Sequence, residues 1–193
     1  IICGASKGIG AASAIELSKC GASTILIARN KSALNQTLES LDTSLNQAHD
    51  SIVADFSDPT ILKDKVESYI KKNSVEVNIL INNTGGPEPG PIIDASPLDF
   101  INAFNQHLIC NHILVNAVSK QMIKNKYGRI INIISTSVKQ PIKGLGVSNT
   151  IRGAVASWAK TLSFELGEFG VTVNNILPGY TDTERLYEIF EKK

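Results

Sequence analysis

Six short runs of aliphatic residues recur along this chain, and each gives way to a stretch with the period of a helix. The runs are Ile1–Cys3, Thr24–Ala28, Ser51–Ala54, Val77–Asn82, Arg129–Ile134 and Val171–Leu177. They are almost continuous Ile, Val and Leu, the pattern of parallel strands buried on both faces. Parallel strands need long crossovers, and the segments between the runs supply helices. Leu34, Leu38, Leu41 and Leu45 form one apolar stripe; Leu62, Val66, Tyr69 and Ile70 form a second; Ile151, Val155, Trp158, Leu162 and Leu166 form a third. Gly21, Gly128 and Gly170 each follow a helical stretch, where a C-terminal cap takes a left-handed residue. Ser96-Pro97 reads as an N-cap followed by a first-turn proline. No repeat or linker interrupts the alternation. The expectation is an α/β fold, a doubly wound, mostly parallel sheet in a single domain over residues 1–193.

The first run passes directly into GASKGIG, with a helix expected from Ile9 to Cys20. Gly4, Gly8 and Gly10 in that setting allow a tight turn, close approach to a pyrophosphate and packing of the helix on the sheet. Free backbone N–H groups and the positive end of the helix then face the phosphates. In a Rossmann-type sheet that prefers NAD, a carboxylate stands about 20 residues further on to hold the ribose 2′-hydroxyl. Here the stretch is ILIARN, with Arg29 and no acid. A guanidinium suits a 2′-phosphate, and Lys7 adds a second cation, so the expected cofactor is NADP rather than NAD.

Composition removes several alternatives. Nineteen Lys and Arg nearly balance eighteen Asp and Glu, without a long run of one sign, so no nucleic-acid partner is expected. No apolar run approaches the ~20 residues of a membrane helix, so no membrane partner is expected either. Cys3, Cys20 and Cys110 lie far apart with no CxxC spacing, which reads as reduced thiols in a cytoplasmic protein without a metal site. The opening Ile1-Ile2 reads as the middle of a strand, with residues expected in front of it.

NNTGGP at residues 82–87, together with GASKGIG, GRIINIIS and PGYTDT in that order, resembles the short-chain dehydrogenase/reductase family in its single-domain branch. The similarity is greatest to 3-oxoacyl-carrier-protein-reductase-like members carrying NNTGGP and VKQP. The resemblance implies that Gly4, Ser6, Gly8, Ile9 and Gly10 form the pyrophosphate loop and that Asp55 bonds the adenine amino group. It implies that Asn82 and Gly85 stand beside the adenosine ribose, and that Pro178, Gly179, Thr181 and Thr183 hold the nicotinamide end. A homo-oligomer, dimer or tetramer, and a small-molecule substrate, acyl thioesters included, belong to the same implication. The start of the first strand and the last strand and tail of the family pattern are absent, so the domain is expected to be truncated at both ends.

In that family a serine polarises the carbonyl, a tyrosine gives the proton, a lysine four residues later tunes the tyrosine, and an asparagine on the preceding helix completes a relay. Ser135 matches the serine. Thirteen residues on stands Ser148, then Arg152 at the lysine position, and counting back from Met122 places His107 at the asparagine position. An alcohol is far harder to ionise than a phenol, and a guanidinium keeps its proton near neutral pH. An unperturbed imidazole is suited to acid–base work, which makes His107 a candidate relay, although a core or helix-surface histidine is the favoured reading of that position. Tyr180 is the tyrosine that the motifs place near the nicotinamide end. Ser148 also reads as an N-cap. Two functions stay open: an NADP-dependent oxidoreductase acting on a carbonyl or alcohol with a rearranged proton set, and a non-catalytic NADP-binding protein.

Overall fold

The strands form where the apolar runs stand, and each stops within two residues of the expected boundary. They are β1 (Ile2–Cys3), β2 (Thr24–Ala28), β3 (His49–Val53), β4 (Ile79–Asn82), β5 (Gly128–Ile133) and β6 (Val171–Ile176). The computed structural model that shows this describes residues 1–191, and of Ile189 the backbone alone. The strands make one sheet in the order β3-β2-β1-β4-β5-β6. Every described pairing is parallel, the arrangement of a doubly wound Rossmann-type domain.

Helices cover both faces. On one, Ala14 of α1 (Gly8–Lys19) and Leu34 of α2 (Lys31–Glu39) pack on Leu26 and Ile81. On the other, Leu62 and Val66 of α3 (Pro59–Asn73) and Leu114 and Val118 of α5 (Cys110–Lys124) pack on Ile27, Leu80 and Ile130. Trp158 and Leu162 of α6 (Gly146–Gly167) join this second core from its margin. Each fully buried Leu or Ile contributes about 1.5–3 kcal/mol relative to exposure, so this two-sided burial is the main force holding the sheet.

α4 (Pro97–Phe104) opens with the expected cap, Ser96, completed by Asp99 into a reciprocal capping box. It then runs into α5 through a wider π turn at Asn105–Ile109. The last helix is α7 (Glu184–Glu191). Gly21 and Gly170 take the expected left-handed conformation, with φ of +85° and +74°.

Three expectations are corrected. Gly128 is not a helix cap: it begins β5, and Lys126 takes the left-handed position with φ +51°. Glycine is required at 128 because a Cβ there would lie 2.5 Å from the sulfur of Met122. Leu45 lies outside α2 and is exposed, because the helix stops at Glu39 and the Gln47 side chain ties the following loop to the Leu45 N–H and the Ser18 carbonyl. Ser148 is not an N-cap: α6 already begins at Gly146, and Leu145 occupies the cap position.

Candidate active site

The glycine loop joins β1 to α1, and two packing facts dictate its composition. A Cβ on Gly10 would sit 2.3 Å from the Gly4 carbonyl oxygen, so only hydrogen fits between loop and helix. Asn83, just beyond β4, sends its amide N–H to the Cys3 carbonyl at 3.3 Å and clamps the loop from the neighbouring strand. The cap of α1, Lys7, makes no side-chain capping bond, which leaves first-turn amides available to an anion. Ser6 and Ile9 flank this turn, half-buried. Lys7 itself is less available than its position suggests. Its Nζ lies 2.7 Å from Glu184 and 3.6 Å from Glu188, tying the loop to α7.

At the far ends of β2 and β3 a cavity of about 280 Å³ is lined by Arg29, Ala54, Asp55, Asp58, Ile61 and Lys65 among others. Arg29 is exposed and has no ion pair among the described residues. Asp55 accepts the Ser57 N–H at 2.9 Å, while the cap of α3 is Asp58, whose carboxylate accepts the Ile61 N–H. The two acids therefore divide the work. Asp58 starts the helix, and Asp55 remains on the cavity wall. A larger cavity, 520 Å³, lies against β6 and α6 and includes no residue of the glycine loop.

Asn82, expected beside the ribose, is spent inside the sheet. It is buried, and its amide donates to Asn132 at 2.9 Å, which donates to Asn175 at 3.0 Å in a ladder across β4, β5 and β6. Gly85 is open, with no described atom within 4 Å of where a Cβ would stand.

The four candidate catalytic residues come from three elements. Ser135 follows β5, and its Oγ accepts the Ser137 N–H at 3.0 Å. Ser148 and Arg152 lie one turn apart on α6, sharing a face as residues i and i+4 do. Ser148 is half-buried and its hydroxyl has no bond among the described residues. Arg152 is buried, and its Nη1 donates to the Ile133 carbonyl at 2.9 Å, two residues before Ser135. That single backbone bond leaves further guanidinium donors for a ligand. Burial, with Arg185 nearby, lowers its pKa to about 10. His107 sits in the π turn between α4 and α5, a local widening common at functional sites. It is buried, its Nδ1 lies 2.5 Å from Thr84 Oγ1, and its Nε2 has no partner among the described residues. Burial and the charge of Arg152 push its pKa well below the usual value. The expectation that it titrates near neutrality is thereby corrected: the ring stays neutral there.

The loop that follows β6 closes the group. Thr136 donates its N–H to the Pro178 carbonyl at 3.2 Å, and Thr183 donates to Thr181 at 3.3 Å. The Thr183 methyl lies 3.5 Å from where a Cβ on Gly8 would stand, so this loop, with Gly179 at its turn, meets the glycine loop. Tyr180 points away, largely exposed and stacked on Phe190. Arg185 of α7 donates to the Pro87 carbonyl at 2.6 Å. Gly90 donates to the Gly144 carbonyl at 2.7 Å and accepts from the Gly146 N–H at 3.2 Å, which ties the loop after β4 to the start of α6. Asn83, Thr84 and Arg185 had not been assigned from sequence. The first two are visible in NNTGGP, but their partners are distant in the chain.

The whole chain, residues 1–193, matches the family model described as short chain dehydrogenase. A ketoacyl reductase of the granaticin polyketide synthase from Streptomyces violaceoruber is 35% identical over 188 residues, covering 95% of this chain and 67% of that protein. The 3-oxoacyl-acyl-carrier-protein reductase FabG of Rickettsia conorii is 31% identical over 193 residues, covering 100% of this chain and 76% of its own. Among solved structures, YwfH, an NADPH-dependent reductase involved in bacilysin biosynthesis, superposes with a TM-score of 0.92 at 26% identity, covering 99% of this chain and 75% of that one.

Proposed function

The chain belongs to the short-chain dehydrogenase family, and on that premise we propose that it is an NADP-dependent oxidoreductase interconverting a carbonyl and an alcohol. The observation that carries this reading is the cluster at the ends of β4 and β5. Arg152 is buried with one backbone partner, half-buried Ser148 has a hydroxyl without a bond, and His107 has a buried ring nitrogen without a partner among the described residues. A module that only bound a nucleotide would gain nothing from burying Arg152 and His107 so, because buried polar groups left without full hydrogen bonding cost stability. The relatives named as ketoacyl and 3-oxoacyl reductases favour a 3-oxoacyl compound, acyl thioesters included, as substrate.

The residues present fit the cofactor. Gly4, Gly8 and Gly10 leave a turn that any Cβ would fill, and Ser6, Lys7 and Ile9 surround it. Arg29 stands ready for a 2′-phosphate, and Asp55, one oxygen held by the Ser57 N–H, keeps its other carboxylate oxygen for the adenine amino group. Asn82 acts through its amide ladder, which ties the end of β4 to β5 three residues before Gly85. Pro178, Gly179, Thr181 and Thr183 border the nicotinamide end. NADPH, when bound, supplies the hydride.

During reduction the carbonyl π pair moves onto oxygen, and the resulting alkoxide takes a proton to give the alcohol. Ser135 and Ser148 offer hydroxyl hydrogen bonds to that oxygen. Arg152 holds a fixed positive charge one helical turn away, which favours the developing negative charge in a water-poor site. Ser148 holds that oxygen by a hydrogen bond, and the proton comes from water, since a serine hydroxyl is far harder to ionise than a phenol and neither Arg152 nor the neutral His107 gives up a proton at neutral pH.

The competing reading, a non-catalytic NADP-binding protein, draws on one observation: Ser148 and Arg152 are no substitute for a tunable phenol and ammonium. Calorimetry with NADPH, followed by NADPH consumption on a series of 3-oxoacyl thioesters and ketones, separates the two. Turnover that falls at least about a hundredfold in Arg152→Ala supports the oxidoreductase. Tight NADPH binding without turnover on any carbonyl establishes the other reading.

A further inference from the structure

Thr84 occupies the third position of NNTGGP, on the loop leaving β4, where nothing in the chain's local structure calls for it. Its hydroxyl lies 2.5 Å from His107 Nδ1, and this is its one described hydrogen bond. His107 is buried to 1% exposure inside the π turn, and its Nε2 is left without a partner. The element that carries the ring is therefore widened where the ring must reach Thr84.

The arrangement discriminates between the two neutral tautomers. If Nδ1 carried the proton, it would donate to Thr84 Oγ1, and the threonine hydroxyl hydrogen would need an acceptor that the described residues do not provide. If Nε2 carries the proton, Thr84 donates to the Nδ1 lone pair and is satisfied. Arg152 is the charged group acting on His107. Arg152 itself donates to the Ile133 carbonyl and keeps further N–H donors. A doubly protonated ring would lose the Nδ1 acceptor and face Arg152 as a like charge.

We propose that Thr84 is a positioning residue that holds His107 in the Nε2–H tautomer, so that the buried ring presents a neutral hydrogen-bond donor beside Arg152 for the oxygen entering the site. This rests on the oxidoreductase reading for its kinetic consequence, though not for the tautomer itself. His107 then acts as an electrophile and not as an acid, and Thr84 is what decides it.

The test has two arms on the full chain. Two-dimensional ¹⁵N NMR of the imidazoles, without substrate, reads the tautomer directly. The expected result is a His107 Nε2 that carries hydrogen and an Nδ1 that does not. Thr84→Val, nearly the same shape, should shift the Nδ1 resonance and lower kcat roughly tenfold with KM little changed, the effect of one lost hydrogen bond. Thr84→Ser should restore both the resonance and the rate. An Nδ1–H tautomer in the wild type overturns the proposal. So does a Thr84→Val protein with unaltered His107 resonances, or a Thr84→Ser protein as impaired as Thr84→Val. Should Thr84→Val fail to fold, the wild-type tautomer decides alone. A chain with the expected tautomer but no turnover on any carbonyl would fail the oxidoreductase reading and leave the tautomer assignment standing.

Discussion

His107 shows how far one residue's environment can move it from its textual meaning. As a free imidazole it would titrate near neutrality; buried in the π turn with Arg152 acting on it, its pKa is well below 6.5. The consequence for stability has a definite sign. The unfolded chain takes up a proton at His107 as pH falls through about 6.5, and the folded chain resists, so folding free energy is lost in acid and kept above that value. Denaturant midpoints measured from about pH 7 to about pH 5 should fall, and His107→Gln should flatten that slope. An unchanged slope in the variant would show that other groups carry it. Asp42, Asp99 and Glu188, whose pKa values are lowered, titrate on the acid side of this window.

Among elements, the glycine loop separates two uses of the same residue. Gly10 is needed for room: a methyl there would meet the Gly4 carbonyl at 2.3 Å, inside the joint between β1 and α1. Gly10→Ala should therefore cost stability, about 1–3 kcal/mol by overpacking, whether or not nucleotide is present. Gly8 is needed for conformation and for access: its φ is +56°, and a Cβ would find the Thr183 methyl at 3.5 Å, an ordinary contact. Gly8→Val should fold with about 1–3 kcal/mol of backbone strain while losing NADPH affinity, because the branched side chain fills the phosphate approach. Thermal melts with and without nucleotide check both. A Gly8→Val protein that binds NADPH normally would remove the loop from the site.

At the scale of the whole molecule, the sheet order brings the ends of β2 and β3 to one side of the glycine loop and those of β4 and β5 to the other, so the places proposed for the nucleotide base and for the reacting carbonyl lie on opposite sides of that loop. Charge is divided in the same way. Lys7 is engaged by Glu184 and Glu188, and of the two cations lining the cavity at the ends of β2 and β3, Lys65 donates to the Val53 carbonyl at 2.6 Å while Arg29 has no ion pair among the described residues. Arg29→Ala should then weaken NADPH binding about tenfold or more and leave NADH nearly untouched, since one charge-assisted bond to phosphate is lost. Equal losses for both nucleotides in calorimetry would place the 2′-phosphate elsewhere. No described helix is long and apolar enough to cross a membrane, and the described residues hold no cluster that could bind a metal ion.

The strand runs, the glycine loop, the Ser96 cap and the family motifs were all readable in the chain, because periodicity and turn chemistry are local properties that neighbours in sequence impose on each other. Ser135, Ser148 and Arg152 were singled out by the family resemblance alone; the structure puts Ser135 just after β5 and Ser148 and Arg152 one turn apart on α6. What only tertiary structure decided was the state of those groups. Asn82 looked like a cofactor wall and became a rung between strands; Lys7 looked free and met α7, 177 residues further along the chain. His107 looked like an acid and became a neutral donor, because its pKa depends on burial and on Arg152, and its tautomer on Thr84. Desolvation and hydrogen-bond partnership are set by residues that meet only after folding, and no local pattern encodes them.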